Sequence, residues 1–280
     1  MDLKNKEIWF KKWIVGKQTY EQISDESGYS ISTLQRYFNT MLEKAPSLSY
    51  SQNKEVYLLI DGTYFSNEIC LVVYRDNVFK QTQLYRITDG EHYEELKEDL
   101  ENILNLGIKI GGITCDGDKS LLKAIRKVCP QVPVQRCLVH IQRMCKIWLS
   151  AYPKSVAGFE LREMVSKLHF IDNEVKKQYW IKEFLDWSEK HKEFLNEKSY
   201  SEETGRYWYT HKMVRRCFTV IKKALPNMFT FLQNDKIPKT TNGIESFFGH
   251  LKGNLNIHRG LTKSRRKKFI QWYLFYKNVK

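Results

Sequence analysis

Three acidic residues stand where carboxylates could do chemistry together. Asp61 and Asp116 end the apolar stretches "YLLID" and "GITCD", and each is followed by glycine. Glu245 lies in "TTNGIESFFGHLK", a stretch otherwise rich in small, aromatic and basic residues. Carboxylates at neighbouring strand ends repel each other unless they are protonated or neutralised by cations. Two magnesium ions about 3.5–4 Å apart would neutralise them, activate a nucleophile and stabilise a leaving oxygen in phosphoryl transfer.

Each acid needs an element that positions it. Asp61 and Asp116 read as the ends of the first and fourth strands of a sheet, and Glu245 opens a helix. If those strands lie side by side, the aspartates meet, and the glycines let a metal or phosphate approach the backbone. We therefore expect all three acids to be catalytic ligands of Mg²⁺, for which Mn²⁺ could substitute. Asp118 competes with Asp116, because either could cap the helix beginning at Lys119. The strand position favours Asp116.

The surrounding pattern predicts a mixed sheet with helices packed on it, an α/β fold. Three apolar segments come first and are followed by alternating helical and strand patterns, in the order β-β-β-α-β-α-β-α. The predicted strands are 55–65, 67–77, 78–88, 108–120 and 131–137, and the predicted helices are 90–107, 119–130 and 138–150.

Residues 151–235 predict an all-α insertion before the helix of Glu245. A long amphipathic helix spans 174–197, and 203–232 reads as further helix. The aromatic residues of this block have helical spacing, which is typical of a core. Trp208, beside Arg206 and Tyr209, is the one aromatic residue that we keep as a DNA contact.

Residues 1–45 predict a small helical DNA-binding domain, followed by a linker at 46–54. Residues 19–42 are typical of a helix-turn-helix, with Gly28 in the turn and Ser30 or Ser32 as the cap of the second helix. The exposed face of that helix carries side chains that can reach base edges or phosphates: Thr33, Gln35, Arg36 and Asn39. An ordinary helical hairpin is the alternative.

The composition favours a nucleic-acid partner. Lys and Arg number 46 against 32 Asp and Glu, which gives a net charge of +14 and a pI near 9.3. The chain begins without an apolar signal region, and no apolar run approaches the ~20 residues of a membrane span. The six cysteines are therefore expected to be reduced thiols of a cytoplasmic protein, associated with the nucleoid when it binds DNA.

Basic residues follow Glu245 closely. Lys252 lies seven residues further on, on the same helix face, where it would face a DNA phosphate. We expect His258, Arg259 and the run "KSRRKK" at 263–268 to contact phosphates as well. For that run, a solvated helix start is an equally good interpretation.

The stretch "RCLVHIQRMC" suggests a zinc site, but its geometry is unfavourable. On one helix Cys137 and His140 share a face, whereas Cys145 lies about 12 Å from Cys137 along the axis. Zinc–ligand bonds of about 2.0–2.3 Å cannot span that separation. We therefore predict no structural zinc, and we expect Cys137 to be a packing residue.

Four motifs together resemble the DDE transposases of the Mutator-like superfamily, which includes many bacterial insertion-sequence transposases. They are "LLIDGTYF", "ITCDGDKSLLKAI", "QRCLVHIQRM" and "TTNGIESFFGHLK", in the order of that family. The resemblance implies an RNase H-like core at 55–150 and 236–280, with the α-helical insertion between its parts. It places His140 in the active site, where it would bond the scissile DNA or orient a water, and Cys137 beside it.

The resemblance also implies magnesium-dependent DNA cleavage and strand transfer at terminal inverted repeats. The partners would be double-stranded DNA with those repeats and a target DNA, bound by a homodimer or higher assembly. Two alternatives remain open: a sequence-specific DNA-binding regulator with an inactive core, and an RNase H-like nuclease without strand transfer.

Overall fold

The computed structural model of the protein describes residues 3–44, 46–48, 55–65 and 69–279. Of the linker predicted at 46–54, residues 49–54 lie outside this part of the chain. The helices are α1 (Leu3–Val15), α2 (Tyr20–Ser27), α3 (Ile31–Leu42), α4 (Tyr93–Asn105), α5 (Lys119–Val128), α6 (Leu138–Leu149), α7 (Val156–Ser166), α8 (Glu174–Lys190), α9 (Lys192–Asn196), α10 (Lys212–Ala224), α11 (Asn242–Ile257) and α12 (Lys263–Asn278). The strands are β1 (Glu55–Phe65), β2 (Ile69–Asp76), β3 (Thr82–Thr88), β4 (Lys109–Cys115), β5 (Val134–Arg136), β6 (Lys198–Ser201) and β7 (Arg206–Tyr209).

Strands β1 to β5 form one mixed sheet in the order β3-β2-β1-β4-β5. Strands β1, β2 and β3 pair antiparallel, whereas β4 and β5 pair parallel. The predicted order of strands and helices and the neighbouring first and fourth strands are both confirmed. This α/β architecture is compatible with the predicted RNase H-like core.

The chain divides into two compact units. The first contains Met1–Gly111, Ser120–Pro130 and Asn242–Lys280, and the second contains Gly112–Lys119 and Gln131–Thr241.

The core of the first unit joins the N-terminal and C-terminal helices. Phe10 and Trp13 of α1 are fully buried, and they pack against Trp272 and Phe269 of α12 at ring-centroid distances of 5.1 and 5.3 Å. Aromatic rings supply large apolar areas to such a contact. The helices of residues 1–45 therefore belong to a larger hydrophobic core, although the sequence predicts them as a separate domain.

Helices α2 and α3 form where the sequence predicts them. Thr19 and Gln22 make a capping box at the start of α2, and Ser30 caps α3 by accepting a hydrogen bond from the Thr33 N–H. Between the helices, Gly28 adopts a φ of 74°, which favours glycine. Ile23 is buried as expected. The local fold fits the predicted helix-turn-helix, while its DNA-binding role stays a prediction.

The core of the second unit is built by α6, α7, α8 and α10. Trp180, Phe184 and Trp187 stack in sequence along α8, and both indole N–H groups donate to backbone carbonyls of α7. These aromatic side chains are buried. The prediction that they form core rather than a base-stacking surface is confirmed.

The region predicted as all-α contains a β-hairpin. Strands β6 and β7 pair antiparallel, with Tyr200 opposite Tyr207 and their rings 4.6 Å apart. The turn uses Gly205 at a φ of 63°, a conformation outside the helical range. The helical interpretation was wrong for the hairpin, because cross-strand aromatic pairing overrides a weak helical spacing, but it is confirmed for Lys212–Ala224, which form α10.

Cys70, Cys115, Cys129, Cys137, Cys145 and Cys217 are all free and buried. Across the described ranges, none of the helices combines the length and the hydrophobicity that a membrane span requires.

Candidate active site

Asp61 lies inside β1 rather than at its end. The strand has the predicted bounds and continues for four residues beyond Asp61 to Phe65, so the expectation that Asp61 ends it was wrong. The backbone stays extended because β2 pairs with β1 without interruption from Leu58 to Phe65. The Asp61 carboxylate is half-buried, and its Oδ1 accepts a hydrogen bond from the Gly62 N–H at 2.9 Å.

Helix α11 covers the face of β1 that carries Asp61. A side chain at Gly243 would contact Leu59, with its Cβ 3.3 Å from Leu59 Cδ1, and the Lys252 ammonium lies 5.7 Å from the centre of the Phe65 ring. Leu59, Asp61 and Phe65 share one face because side chains alternate along a strand. The helix and the strand therefore run in the same direction.

Two of the predicted acids lie on elements of the first unit that pack together, Asp61 on β1 and Glu245 on α11. Asp61 lies between Leu59 and Phe65 along the strand, and Glu245 lies between Gly243 and Lys252 along the helix. Glu245 is half-buried in the first turn of α11, where the helix dipole favours an anionic side chain.

Asp116 belongs to the second unit and follows the last residue of β4 directly, as predicted. Its Oδ1 accepts a hydrogen bond from the Asp118 N–H at 2.9 Å, and its carbonyl oxygen accepts one from Arg136 Nη2 at 3.1 Å. The carboxylate is half-buried. The choice of Asp116 over Asp118 as a ligand stays a prediction.

The two glycines after the aspartates make room for side chains of the protein itself. Gly117 has a φ of 90°, and a Cβ there would lie 1.8 Å from Arg136 Cζ. At Gly62 a Cβ would lie 2.9 Å from Glu91 Cδ. The sequence interpretation, close approach of a metal or phosphate, missed both of these contacts.

A hydrogen-bonded cluster surrounds Cys137 at the start of α6. Its sulfur accepts hydrogen bonds from the Thr241 N–H and the Thr241 hydroxyl, both at 3.3 Å. The same hydroxyl lies 3.4 Å from His140 Nδ1. Burial raises the pKa of the Cys137 thiol, but the hydrogen bonds from His140 and Thr241 outweigh it, so the pKa lies below its ordinary value.

The cluster belongs to a set of contacts that fix residues 238–241. The Thr114 hydroxyl donates to the Pro238 carbonyl at 2.9 Å, and the Leu138 N–H donates to the Lys239 carbonyl at 3.1 Å. The segment thus bonds to β4 and to the start of α6, and Thr241 directly precedes α11. The sequence prediction of Cys137 as a simple packing residue missed this function as an acceptor.

The predicted phosphate contacts have different environments. Lys252 is half-buried and Arg259 is exposed. His258 is only 8% exposed, its Nε2 lies 3.0 Å from the Trp13 carbonyl oxygen, and its ring packs 4.6 Å from that of Trp13. The expectation that His258 contacts DNA was therefore wrong, because the imidazole is part of the hydrophobic core.

The residues predicted to read DNA on α3 are distributed over its surface. Gln35 and Arg36 are exposed, and Asn39 is half-buried. The Thr33 hydroxyl lies 2.9 Å from the Ser30 hydroxyl, so it is engaged in the helix cap. On β7, Trp208 is 49% exposed, as a DNA contact requires. The DNA contacts themselves stay predictions.

Three residues near these acids were missed by the sequence reasoning. Arg136 and Thr241 adjoin recognised motif residues, and Glu91 precedes α4. The available signal for Arg136 was an arginine inside a recognised motif near the end of a predicted strand, whereas only the fold reveals that Glu91 lies over Gly62.

Hard oxygen ligands are the donor set that magnesium prefers, and three carboxylates supply it. Within the described ranges, no three His, Cys, Asp or Glu side chains form a group able to hold a metal ion by themselves. Magnesium is commonly held by one or two carboxylates together with substrate phosphates, and the half-buried carboxylates of Asp61 and Glu245 suit that mode.

The sequence model of the IS66 transposase family matches residues 72–247, which is more than half of the chain. The match includes Asp116, Cys137, His140 and Glu245, and it begins after Asp61. No curated protein matches the chain. The resemblance to the Mutator-like superfamily was wrong at the level of the family, because IS66 lies outside that superfamily, but the expectation of a DDE-type transposase is supported. The chain belongs to the IS66 transposase family.

Proposed function

We propose that this protein binds the terminal inverted repeats of its element and catalyses magnesium-dependent DNA cleavage and strand transfer. Its family supports a transposase that acts on DNA. The observation that carries the proposal is the packing of α11, which bears Glu245, against β1, which bears Asp61.

In this proposal Asp61, Asp116 and Glu245 hold Mg²⁺, and Mn²⁺ can replace it. When bound, the metal would promote attack by water or by a DNA 3′-hydroxyl and stabilise the leaving oxygen. The carboxylates would bind it through hard oxygen atoms. Arg136 would keep the backbone of Asp116 in place through its hydrogen bond to the carbonyl. His140 would donate a hydrogen bond to the scissile strand or to a water beside it.

The basic residues would bind the DNA backbone. Lys252 on α11 and Arg259 just beyond that helix line one pocket, and they would bind the phosphate backbone. Gln35 and Arg36 on α3 would read base edges, with Thr33 and Asn39 beside them. Trp208 on the hairpin would stack on DNA. We expect a homodimer or a higher assembly on DNA, because two repeats must be processed together.

Purified protein should be incubated with DNA carrying the inverted repeats that flank its gene, with Mg²⁺, Mn²⁺ or EDTA. We expect a nick or break at the repeat end and joining of that end to target DNA, only when a divalent metal is present. Binding without cleavage in every metal would favour a regulator with an inactive core. Cleavage without joining would favour a nuclease, and either result would overturn the proposal.

A further inference from the structure

A basic pocket opens in the first unit beside the end of β1. Its volume is about 240 Å³, and it is lined by Phe65 and Leu255 together with Lys252, Arg259 and Arg266. Drug-sized ligands occupy pockets of roughly 300–1,000 Å³, so this one suits a smaller group. Cations on one side and apolar side chains on the other match the two parts of a nucleotide, its phosphate and its sugar or base.

The position of the pocket relative to Glu245 is set by α11. Lys252 and Asn256 lie seven and eleven residues beyond Glu245, spacings that return to the same helix face. At a rise of 1.5 Å per residue, Lys252 is about 10.5 Å along the axis from Glu245. Three nucleotides of a B-form strand span nearly the same distance, at about 3.4 Å each.

The local charge favours an anion in this pocket. Arg266 lies in the start of α12, where Lys263, Arg265 and Lys267 add positive charge and the first turn has no acidic residue. Cations are unfavourable at a helix N-terminus, because the helix dipole is positive there. An incoming phosphate would remove this repulsion and gain charge-assisted hydrogen bonds.

Side chains around the pocket are held in place before any ligand arrives. The Lys252 ammonium lies over the Phe65 ring at 5.7 Å, and the Arg259 Nε donates to the Asn256 carbonyl at 3.3 Å. Ordering of flexible cations is a cost of binding, and these contacts reduce it.

We propose that the basic pocket binds one nucleotide of the DNA strand, about three nucleotides from the bond that is cleaved. Its phosphate contacts Lys252, Arg259 and Arg266, and its sugar or base lies against Phe65 and Leu255. This inference rests on the proposed function, and it specifies which part of the substrate the pocket takes.

The test measures binding of terminal-repeat DNA in EDTA, so that it does not depend on cleavage. Neutral methylphosphonate linkages are introduced one position at a time in each strand. We expect at least one position where the neutral linkage weakens binding to the parent protein but no longer weakens binding to the double variant Lys252→Gln/Arg259→Gln. The double variant should also reduce the salt dependence of binding by about one phosphate contact.

Lys109→Gln is the matched control, because Lys109 is an exposed lysine of the same unit that is paired with Glu55. The Lys109→Gln variant should still bind more weakly when the neutral linkage is at the sensitive position. An abasic nucleotide at the sensitive position should weaken binding further in the parent protein. If no position is sensitive, or if the double variant keeps the sensitivity, the pocket inference is wrong even when cleavage proceeds. A sensitive position in a protein that never cleaves would overturn the proposed function alone.

Discussion

The sulfur of Cys137 accepts hydrogen bonds from both the N–H and the hydroxyl of Thr241, each at 3.3 Å. Thr241 immediately precedes α11, and Glu245 lies four residues further along the chain. A thiolate is a better acceptor than a thiol, because hydrogen bonds to a charged partner are stronger. Thr241, which directly precedes the helix of Glu245 in the chain, is therefore held by an acceptor whose strength depends on its protonation.

Replacement of Cys137 by serine should change how stability depends on pH. The pKa of the Cys137 thiol is lower in the folded protein, so its contribution is present above the ordinary thiol pKa of about 8.5 and is lost as pH falls through the folded value. The difference in free energy of unfolding between the parent and Cys137→Ser should grow as pH rises toward that value. Urea unfolding at several pH values measures it.

Cys129→Ser is the control for this prediction, because burial raises the pKa of the Cys129 thiol. Its contribution to stability should be constant at lower pH and should decrease only as pH rises above the ordinary thiol value. Thr241→Val, which removes the hydroxyl donor, should cost about 1–3 kcal/mol and weaken the pH effect. A pH-independent difference for Cys137→Ser would contradict the prediction.

The amide variants Asp61→Asn, Asp116→Asn and Glu245→Gln should each abolish cleavage and strand transfer while repeat binding survives. An amide keeps the shape of the carboxylate but removes the charge that a hard cation requires. Gel assays of cleavage and binding, with Mg²⁺ and Mn²⁺, measure both properties. Asp118→Asn serves as the comparison and should retain activity. If Asp118→Asn is inactive and Asp116→Asn is active, the wrong acid was chosen.

Much of this arrangement could be predicted from the sequence, because strand and helix patterns are local. The apolar runs before Asp61 and Asp116 were correctly identified, and of the two caps left open for α3, Ser30 or Ser32, the structure has Ser30. What was missed depends on distant parts of the chain. The sequence around His258 is typical of a surface cation. In the structure its imidazole lies in the core, against the carbonyl oxygen of Trp13, which is 245 residues away in the chain. Similarly, no local pattern indicates that Arg136 fills the space over Gly117.

Gly117→Ala should destabilise the protein and disturb Asp116. The backbone there has a φ of 90°, and a new Cβ would overlap the Arg136 guanidinium. The left-handed conformation alone costs a non-glycine residue about 1–2 kcal/mol, and the overlap adds to it. Combining Gly117→Ala with Arg136→Ala should recover the part of the lost stability that the overlap causes. Thermal unfolding of the single and double variants measures this, and strict additivity would contradict the proposed clash.

Acidification should destabilise the protein in part through His258. Burial lowers the pKa of this imidazole, and the hydrogen bond to the Trp13 carbonyl only partly opposes it. Since the unfolded state binds the proton more readily, stability should fall as pH drops below about 6.5 toward the folded pKa. The His258→Gln variant should be less stable than the parent at neutral pH, but it should lose less stability on acidification. Urea unfolding at several pH values measures this, and an equal loss of stability on acidification in His258→Gln and in the parent would contradict the prediction.

We expect the side chains of α3 to give the protein its preference for the terminal repeat over random DNA. Substitutions of exposed α3 side chains test this best. Deleting residues 1–45 would remove Phe10 and Trp13 from the core that they share with α12, so a truncated protein would report loss of folding. Gln35→Ala and Arg36→Ala change exposed side chains instead. If they contact base edges, each should cost about 1–3 kcal/mol on the repeat and little on random duplex. Competition binding at fixed salt measures the ratio of the affinities for the repeat and for random DNA.

Lys44→Ala changes an exposed position just beyond α3 and should leave that ratio of affinities unchanged. Equal losses on repeat and random DNA for the two α3 variants would assign these side chains to the phosphate backbone and remove α3 from sequence recognition.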